Sequence, residues 1–200
     1  MNKSLFSPCF FCVPDITGFT RLITSADIEF SSLVIPALLN RLMDCNNLAM
    51  SVAEIEGDAI FFYRTGEAPS PVSVMEQCDS FYQCFADTLN GFKQTDPENY
   101  QKYLANSQVG LKVIVHYGNV MPALIKGRVK LIGTDVITIH RLLKNSISAT
   151  EYILLTESYL NTNNEQPLTS SLNESILSTG SDSYEYLGRI NYKFVSAPRS

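Results

Sequence analysis

The sequence predicts an α+β sandwich in which helices cover one face of a mainly antiparallel sheet. Three observations point there: short apolar runs bounded by turn residues, long segments with apolar residues three and four apart, and alternation between the two along the chain. A chain of 200 residues with 45% hydrophobic content suits a single domain over 1–200 with one sizeable core, neither disordered nor two-domain.

Residues 9–13, "CFFCV", are apolar and bracketed by Pro8 and Pro14, and read as a buried strand, although periodicity alone does not exclude a helix. Asp15 then sits at the strand exit. Ile35, Leu38, Leu39, Leu42 and Met43 recur at helical spacing, with Ser31 or Ser32 as N-cap and Pro36 near the first turn. "MSVAEIEGDAIFFYR", residues 50–64, holds two strand-like runs separated by Glu-Gly-Asp, a hairpin signal that puts Asp58 at the tip.

Val74, Met75, Cys78, Phe81, Tyr82, Phe85, Leu89 and Phe92 form the strongest helical pattern. Residues 94–108 are polar and read as a surface excursion before "VGLKVIVHYG", whose alternation is that of a strand. Thr134 or Asp135 can cap a helix carrying Val136, Ile139, Leu142 and Leu143, and "EYILLTE" follows as strand and turn. The core thus runs over 8–158, a polar loop over about 161–182, and a strand or hairpin over 183–196.

Composition narrows the function. Lys and Arg number 15 against 20 Asp and Glu, so a formal charge of −5 gives no footprint for nucleic acid or an anionic membrane. No stretch approaches the roughly 20 apolar residues of a membrane span, and Pro8 and Pro14 interrupt the apolar start with no cleavage site after it. Five cysteines are an odd number in a chain too large to need stapling, so a disulfide framework is not expected and a reducing cytoplasm suits them. Cys9 and Cys12 have CxxC spacing, but a strand puts positions three apart on opposite faces, which argues against a shared metal.

Asp15 and Asp58 end two strands that can be neighbours, so their carboxylates can converge on divalent cations. Mg²⁺ takes one or two protein carboxylates plus phosphate oxygens in preference to a full protein cage. Aspartate also favours strand exits and hairpin turns for purely local hydrogen bonding.

Four stretches in order carry a resemblance over residues 11–146. "PDITGFT" is similar to the strand-exit motif of the class III nucleotidyl cyclases, the adenylyl and guanylyl cyclase catalytic domain. "EIEGDAIFF" resembles that family's second metal hairpin, "LKVIVHYGNV" its later strand, and "LIGTDVITIHRLLKNS" the helix that carries its catalytic arginine. The resemblance implies a ferredoxin-like βαββαβ core with extra C-terminal strands. It also implies two Mg²⁺ or Mn²⁺ ions held by Asp15 and Asp58, and a nucleoside triphosphate whose 3′-hydroxyl attacks its own α-phosphate. The backbone of Ile16, Thr17, Gly18 and Phe19 would donate to phosphate oxygens. Arg141 falls at the position of the transition-state arginine, which in this family comes from the other subunit of a homodimer.

The pattern breaks in three places. The family's catalytic asparagine lies four residues before its arginine, where this chain has Ile137, a side chain that neither donates nor accepts. Asn145, one turn beyond Arg141, suits a helix C-terminus better than a substitute role. The base-selecting pair falls on Glu54, as in guanylyl cyclases, and on Lys130, two side chains able to neutralise each other or to read a different base. The terminal phosphate-binding lysine has no clear counterpart, with Arg189 and Lys193 in its neighbourhood. His116 reads as a structural hydrogen-bonder, His140 as a residue able to face an interface, and Glu56 as a solvated hairpin residue. A divergent enzyme and a cyclase-fold binding or regulatory module both remain open.

Overall fold

Strand β1 (Ser7–Thr17) is buried along nearly its whole length because it has antiparallel partners on both edges, β3 (Ala59–Thr65) and β4 (Gly110–Ile125). The structure, a computed structural model, describes residues 6–163 and 177–196. With β2 (Ser51–Glu56), β6 (Tyr152–Thr156), β7 (Ser178–Tyr184) and β8 (Gly188–Ser196), the sheet runs β2-β3-β1-β4-β6-β8-β7. β5 (Arg128–Ile132) pairs with the far end of β4. Among the described strands only β4 and β6 pair in parallel, as a strand-helix-strand crossover requires. The first four strands of the path, with the helices between them, make the expected ferredoxin-like core.

Side chains of β1 alternate between two apolar layers. Phe10, Cys12 and Ile16 pack under helices α1 (Phe19–Ser25), α2 (Ile28–Asp44) and α3 (Pro71–Thr95). Cys9, Phe11 and Val13 face the opposite layer, closed by Ile139 and Leu142 of α6 (Thr134–Leu142). The helices therefore cover both faces, which corrects the one-faced sandwich: periodicity shows that a helix has an apolar side, not which side of the sheet receives it. The split of Cys9 and Cys12 between layers agrees with their spacing on a strand.

Several boundaries also differ. α2 begins after Asp27, not at Ser31 or Ser32, and so carries Pro36 in its interior. Residues 94–108 are the end of α3 followed by helical turns: α4 (Pro97–Asn99), a π-helical turn (Tyr100–Leu104) and α5 (Ala105–Ser107). Tyr103, Leu104 and Ser107 are buried there, Tyr103 against Phe30 of α2, so the polar surface excursion is helical and anchored in the core by these residues. Gly133, and neither Thr134 nor Asp135, occupies the N-cap of α6. The hairpin β7–β8 begins at Ser178, inside the stretch read as loop, and α7 (Glu157–Leu160) follows β6. Residues 164–176 of that loop lie outside the described residues.

Cys45 and Cys84 form a disulfide between the end of α2 and the middle of α3, which overturns the expectation of none. An odd count does not forbid one pair, and the packing of α2 along α3 brings these two Cα atoms to 6.7 Å. Cys9, Cys12 and Cys78 are free and buried. No described helix is long and apolar enough to cross a membrane.

Candidate functional site

The parity of β1 that buries Phe11 and Val13 carries Asp15 to the same face, toward the end of the strand. Its cross-strand neighbours are Ala59 on β3 and Lys112 on β4. Asp58 stands in the two-residue turn beside Gly57, which takes the left-handed φ of 63° that such a turn requires. The turn is fixed to β1 by the Ile16 N–H, which donates to the Asp58 carbonyl at 3.2 Å.

Asp15 and Asp58 therefore border one cavity of about 980 Å³. Burial pushes the Asp58 carboxyl up to about 7, reinforced by the negative charge of Asp15 and a hydrogen bond between the two side chains. The Lys112 ammonium lies 2.9 Å from Asp15 and donates to the Leu143 carbonyl at 2.7 Å. Asp15 is thus already paired with a cation of its own chain.

Of the four residues assigned to phosphate, all line the cavity, but Ile16 has already used its N–H on Asp58. That removes it as a phosphate donor. Thr17 is tied by its hydroxyl to the Thr150 carbonyl at 2.9 Å. Gly18 is the N-cap of α1 with φ of 76°, and a Cβ there would press to 2.8 Å from the Ser107 carbonyl oxygen. Only glycine fits both the conformation and the space, and the chain thereby turns Phe19 into a helix start at the cavity wall.

Arg141, exposed on α6, borders the same cavity within a single chain. Ile137, one turn earlier, also borders it and is 52% exposed. Glu54 and Lys130 do meet, at 2.7 Å, but beside the cavity and not in its wall. Both oxygens of Glu54 are engaged, one by Lys130 and one by His140 Nε2 at 3.1 Å. Burial acts to raise the Glu54 carboxyl, but the bond and charge of Lys130 and then His140 outweigh it and hold it below the ordinary value. His140 also reaches Glu56 through Nδ1 at 2.9 Å and stacks on Phe61 with ring centroids 4.3 Å apart. His140 therefore faces inward and links α6 to the β2–β3 hairpin, with Glu56 as its second partner.

His116 is buried and bonded on both sides, through Nε2 to Asp135 at 3.0 Å and through Nδ1 to Thr156 at 2.9 Å. It is the structural hydrogen-bonder that the sequence suggests. Arg189 and Lys193 line a separate cleft with Glu157, away from the aspartates. Asn145 is held by the Leu142 carbonyl and the Tyr152 hydroxyl, a helix-end role.

Sequence reasoning missed Lys112. The signal was a lone charge in the strand "VGLKVIVHYG", which only the register with Asp15 makes meaningful. Lys144 and Arg21 add further positive charge to the cavity wall. Among the described residues no group of three or more His, Cys, Asp or Glu is placed as a metal cage.

A family model matches residues 35–152, more than half of the chain: DUF2652, a protein family of unknown function. The chain belongs to this DUF2652 family. The uncharacterized protein Rv2561/Rv2562 of Mycobacterium tuberculosis (strain ATCC 25618 / H37Rv) is 32% identical to this DUF2652 chain over 108 residues, 54% of this chain and 50% of that protein. The match thus spans about half the length of that curated relative. Solved structures resemble the DUF2652 chain over almost its whole length. The adenylyl cyclase CyaB from P. aeruginosa aligns with TM-score 0.67 and 12% identity over 97% of this chain and 96% of that one. The guanylyl cyclase Cya2 gives 0.69 and 12% over 95% and 92%. The guanylate cyclase domain of RhGC from Catenaria anguillulae, in complex with GTP, gives 0.59 and 14% over 96% and 98%. The DUF2652 chain therefore has the fold of adenylyl and guanylyl cyclase catalytic domains.

Proposed function

We propose that this chain is a divergent nucleotidyl cyclase, converting a nucleoside triphosphate to a 3′,5′-cyclic nucleotide and pyrophosphate in a homodimer. One observation carries the reading: Asp15 and Asp58, from separate strands, border a single cavity that Arg141 and the start of α1 also border. Two carboxylates are the donor set that Mg²⁺ or Mn²⁺ takes beside phosphate oxygens, and the Asp58 carboxyl, raised by burial first and by the Asp15 charge next, is one that a bound cation would favour in its charged form. The residues fit the group.

Bound there, two such ions would activate the attacking hydroxyl and neutralise the triphosphate. Asp15 and Asp58 would hold those ions. The nucleotide's 3′-oxygen bonds to the α-phosphorus while the bond from that phosphorus to the oxygen bridging to the β-phosphate breaks. The hydroxyl proton passes to water and pyrophosphate leaves. In a two-subunit site, Arg141 would meet the charge that grows on the α-phosphate from the partner's side of the homodimer, and the backbone of Gly18 and Phe19 at the cavity wall would donate to the phosphates. Glu54 and Lys130, bonded to each other at 2.7 Å beside the cavity, are the pair that would contact a base extending out of it.

A second reading, a nucleotide-binding or regulatory module with little turnover, is favoured by Ile137, an exposed apolar side chain at the cavity where a donor is expected. Losing one such donor costs on the order of a hundredfold to a thousandfold in rate. The test is incubation of purified protein with ATP, GTP, CTP and UTP, each with Mn²⁺ or Mg²⁺, and mass spectrometry for cyclic products. A product lost in both Asp15→Ala and Asp58→Ala is expected. No product from any nucleotide with a folded dimer would move the reading to the binding module.

A further inference from the structure

Lys112 occupies an unusual place for a charged side chain. It projects from a strand otherwise filled by Leu111, Val113, Ile114 and Val115, all fully buried, and its own side chain is only 15% exposed. Its register partner on β1 is Asp15, so strand pairing fixes the base of the stem opposite the carboxylate. At the tip, the ammonium is held from two directions, by Asp15 at 2.9 Å and by the carbonyl of Leu143 at the end of α6 at 2.7 Å. The negative end of a helix favours a cation at that position. A half-buried, doubly bonded ammonium beside a carboxylate is a resident cation.

We propose that Lys112 is a tethered counter-cation that competes with a divalent ion for Asp15, so that the nucleotide-free chain takes up divalent metal only weakly. The inference rests on the reading of Asp15 and Asp58 as cation ligands. A divalent ion that approaches Asp15 meets a positive charge already within bonding distance of the carboxylate, and like charges at such range in a half-buried site repel strongly. Filling the site means moving the ammonium off Asp15. Lys112 is thus a positioning residue that sets how readily the site fills.

The experiment is a calorimetric titration of nucleotide-free protein with MnCl₂, comparing wild type with Lys112→Met. The methionine keeps the length and apolar stem and removes the charge. Mn²⁺ is expected to bind the variant about tenfold more tightly, a gain that a merely damaged fold does not produce, and the gain disappears when Asp15→Asn is added. Equal or weaker binding by a folded Lys112→Met protein overturns the proposal. Should that variant not fold, acetylation of wild-type lysines by an N-hydroxysuccinimide ester decides, read by mass spectrometry with Lys126 as the exposed reference. Mn²⁺ is expected to raise labelling of Lys112 severalfold, and unchanged labelling at saturating Mn²⁺ overturns the competition. Neither readout needs turnover, so absence of a cyclic product leaves the inference standing. Absence of Mn²⁺ binding in both proteins overturns it together with the cation-site reading.

Discussion

His116 and Asp135 form the bolt that fastens α6 to the sheet. Their side chains meet at 3.0 Å, and the second Asp135 oxygen accepts the Asn119 N–H at 2.7 Å. The Asp135 carboxylate lies directly over Gly118, in the space a Cβ would fill. The spacing His-x-Gly on the strand and Asp after the turn is therefore a packing requirement, and it also sets α6 so that Arg141 borders the cavity.

Burial acts to raise the Asp135 carboxyl, but the bonds from His116 and the Asn119 N–H outweigh it and hold it below its ordinary value. A depressed carboxyl contributes stability above its unfolded value and loses it as pH falls through the folded one. Asp135→Ala should cost about 2 kcal/mol at pH 7, leaving the buried His116 without its carboxylate partner. Urea unfolding from pH 7 to pH 2 checks this: the gap between wild type and variant should close at the acid end. Gly118→Ala should be as damaging, through overlap with the carboxylate.

Asp58 has the opposite sign. Its native carboxyl is raised from 3.8 to about 7, by burial first and Asp15 next, so the folded chain holds this proton more tightly than the unfolded one. The contribution is present at pH 4 and lost as pH rises through 7. Asp58→Asn should therefore stabilise the protein at pH 8, by about 1 kcal/mol after solvent screening, and not at pH 4. Thermal melts of the metal-free protein at the two pH values read this directly.

Much of this site was legible in the sequence because turns and strand ends are punctuated locally. Asp15 after "CFFCV" and Asp58 in "EGD" were placed by that punctuation alone. What the sequence hid depends on pairing between distant elements. β5 was missed because Arg-Val-Lys-Leu alternates over only four residues, buries Leu131 alone, and gains its partner from the far end of β4. The Cys45–Cys84 bond follows from how α2 lies along α3, and the Asp15–Lys112 pair from a register between β1 and β4. His140, beside Arg141, reads from the sequence as able to face an interface, whereas helical geometry turns it toward Glu54 and Glu56.

The homodimer proposed above would place weight on the β4–β5 hairpin. Leu124 and Val129 face each other across it, 74% and 53% exposed, with Ile125 at 56% beside them. Adjacent exposed apolar side chains of this size favour contact with another surface. Leu124→Glu should convert dimer to monomer in analytical ultracentrifugation, with thermal stability of the monomer unit changed by less than about 0.5 kcal/mol. A variant that stays dimeric would move the interface elsewhere on the molecule.

Ile137 offers the sharpest separation between enzyme and binding module. Its side chain lies one turn before Arg141, borders the cavity and is 52% exposed, so a polar replacement neither opens a core cavity nor buries an unpaired group. Ile137→Asn restores the donor whose absence costs on the order of a hundredfold in rate. If the cavity is a cyclase site limited by that missing donor, the variant should form cyclic product at least about tenfold faster than wild type, because an added group recovers part of what a native one supplies. Affinity for the nucleotide with Ca²⁺ in place of Mg²⁺, read by calorimetry, should change by much less. A faster rate with little change in affinity assigns the gain to the transition state. A variant that binds nucleotide as well as wild type and turns over no faster would mean that Ile137 is not what limits the reaction, and the binding-module reading would then be the stronger one.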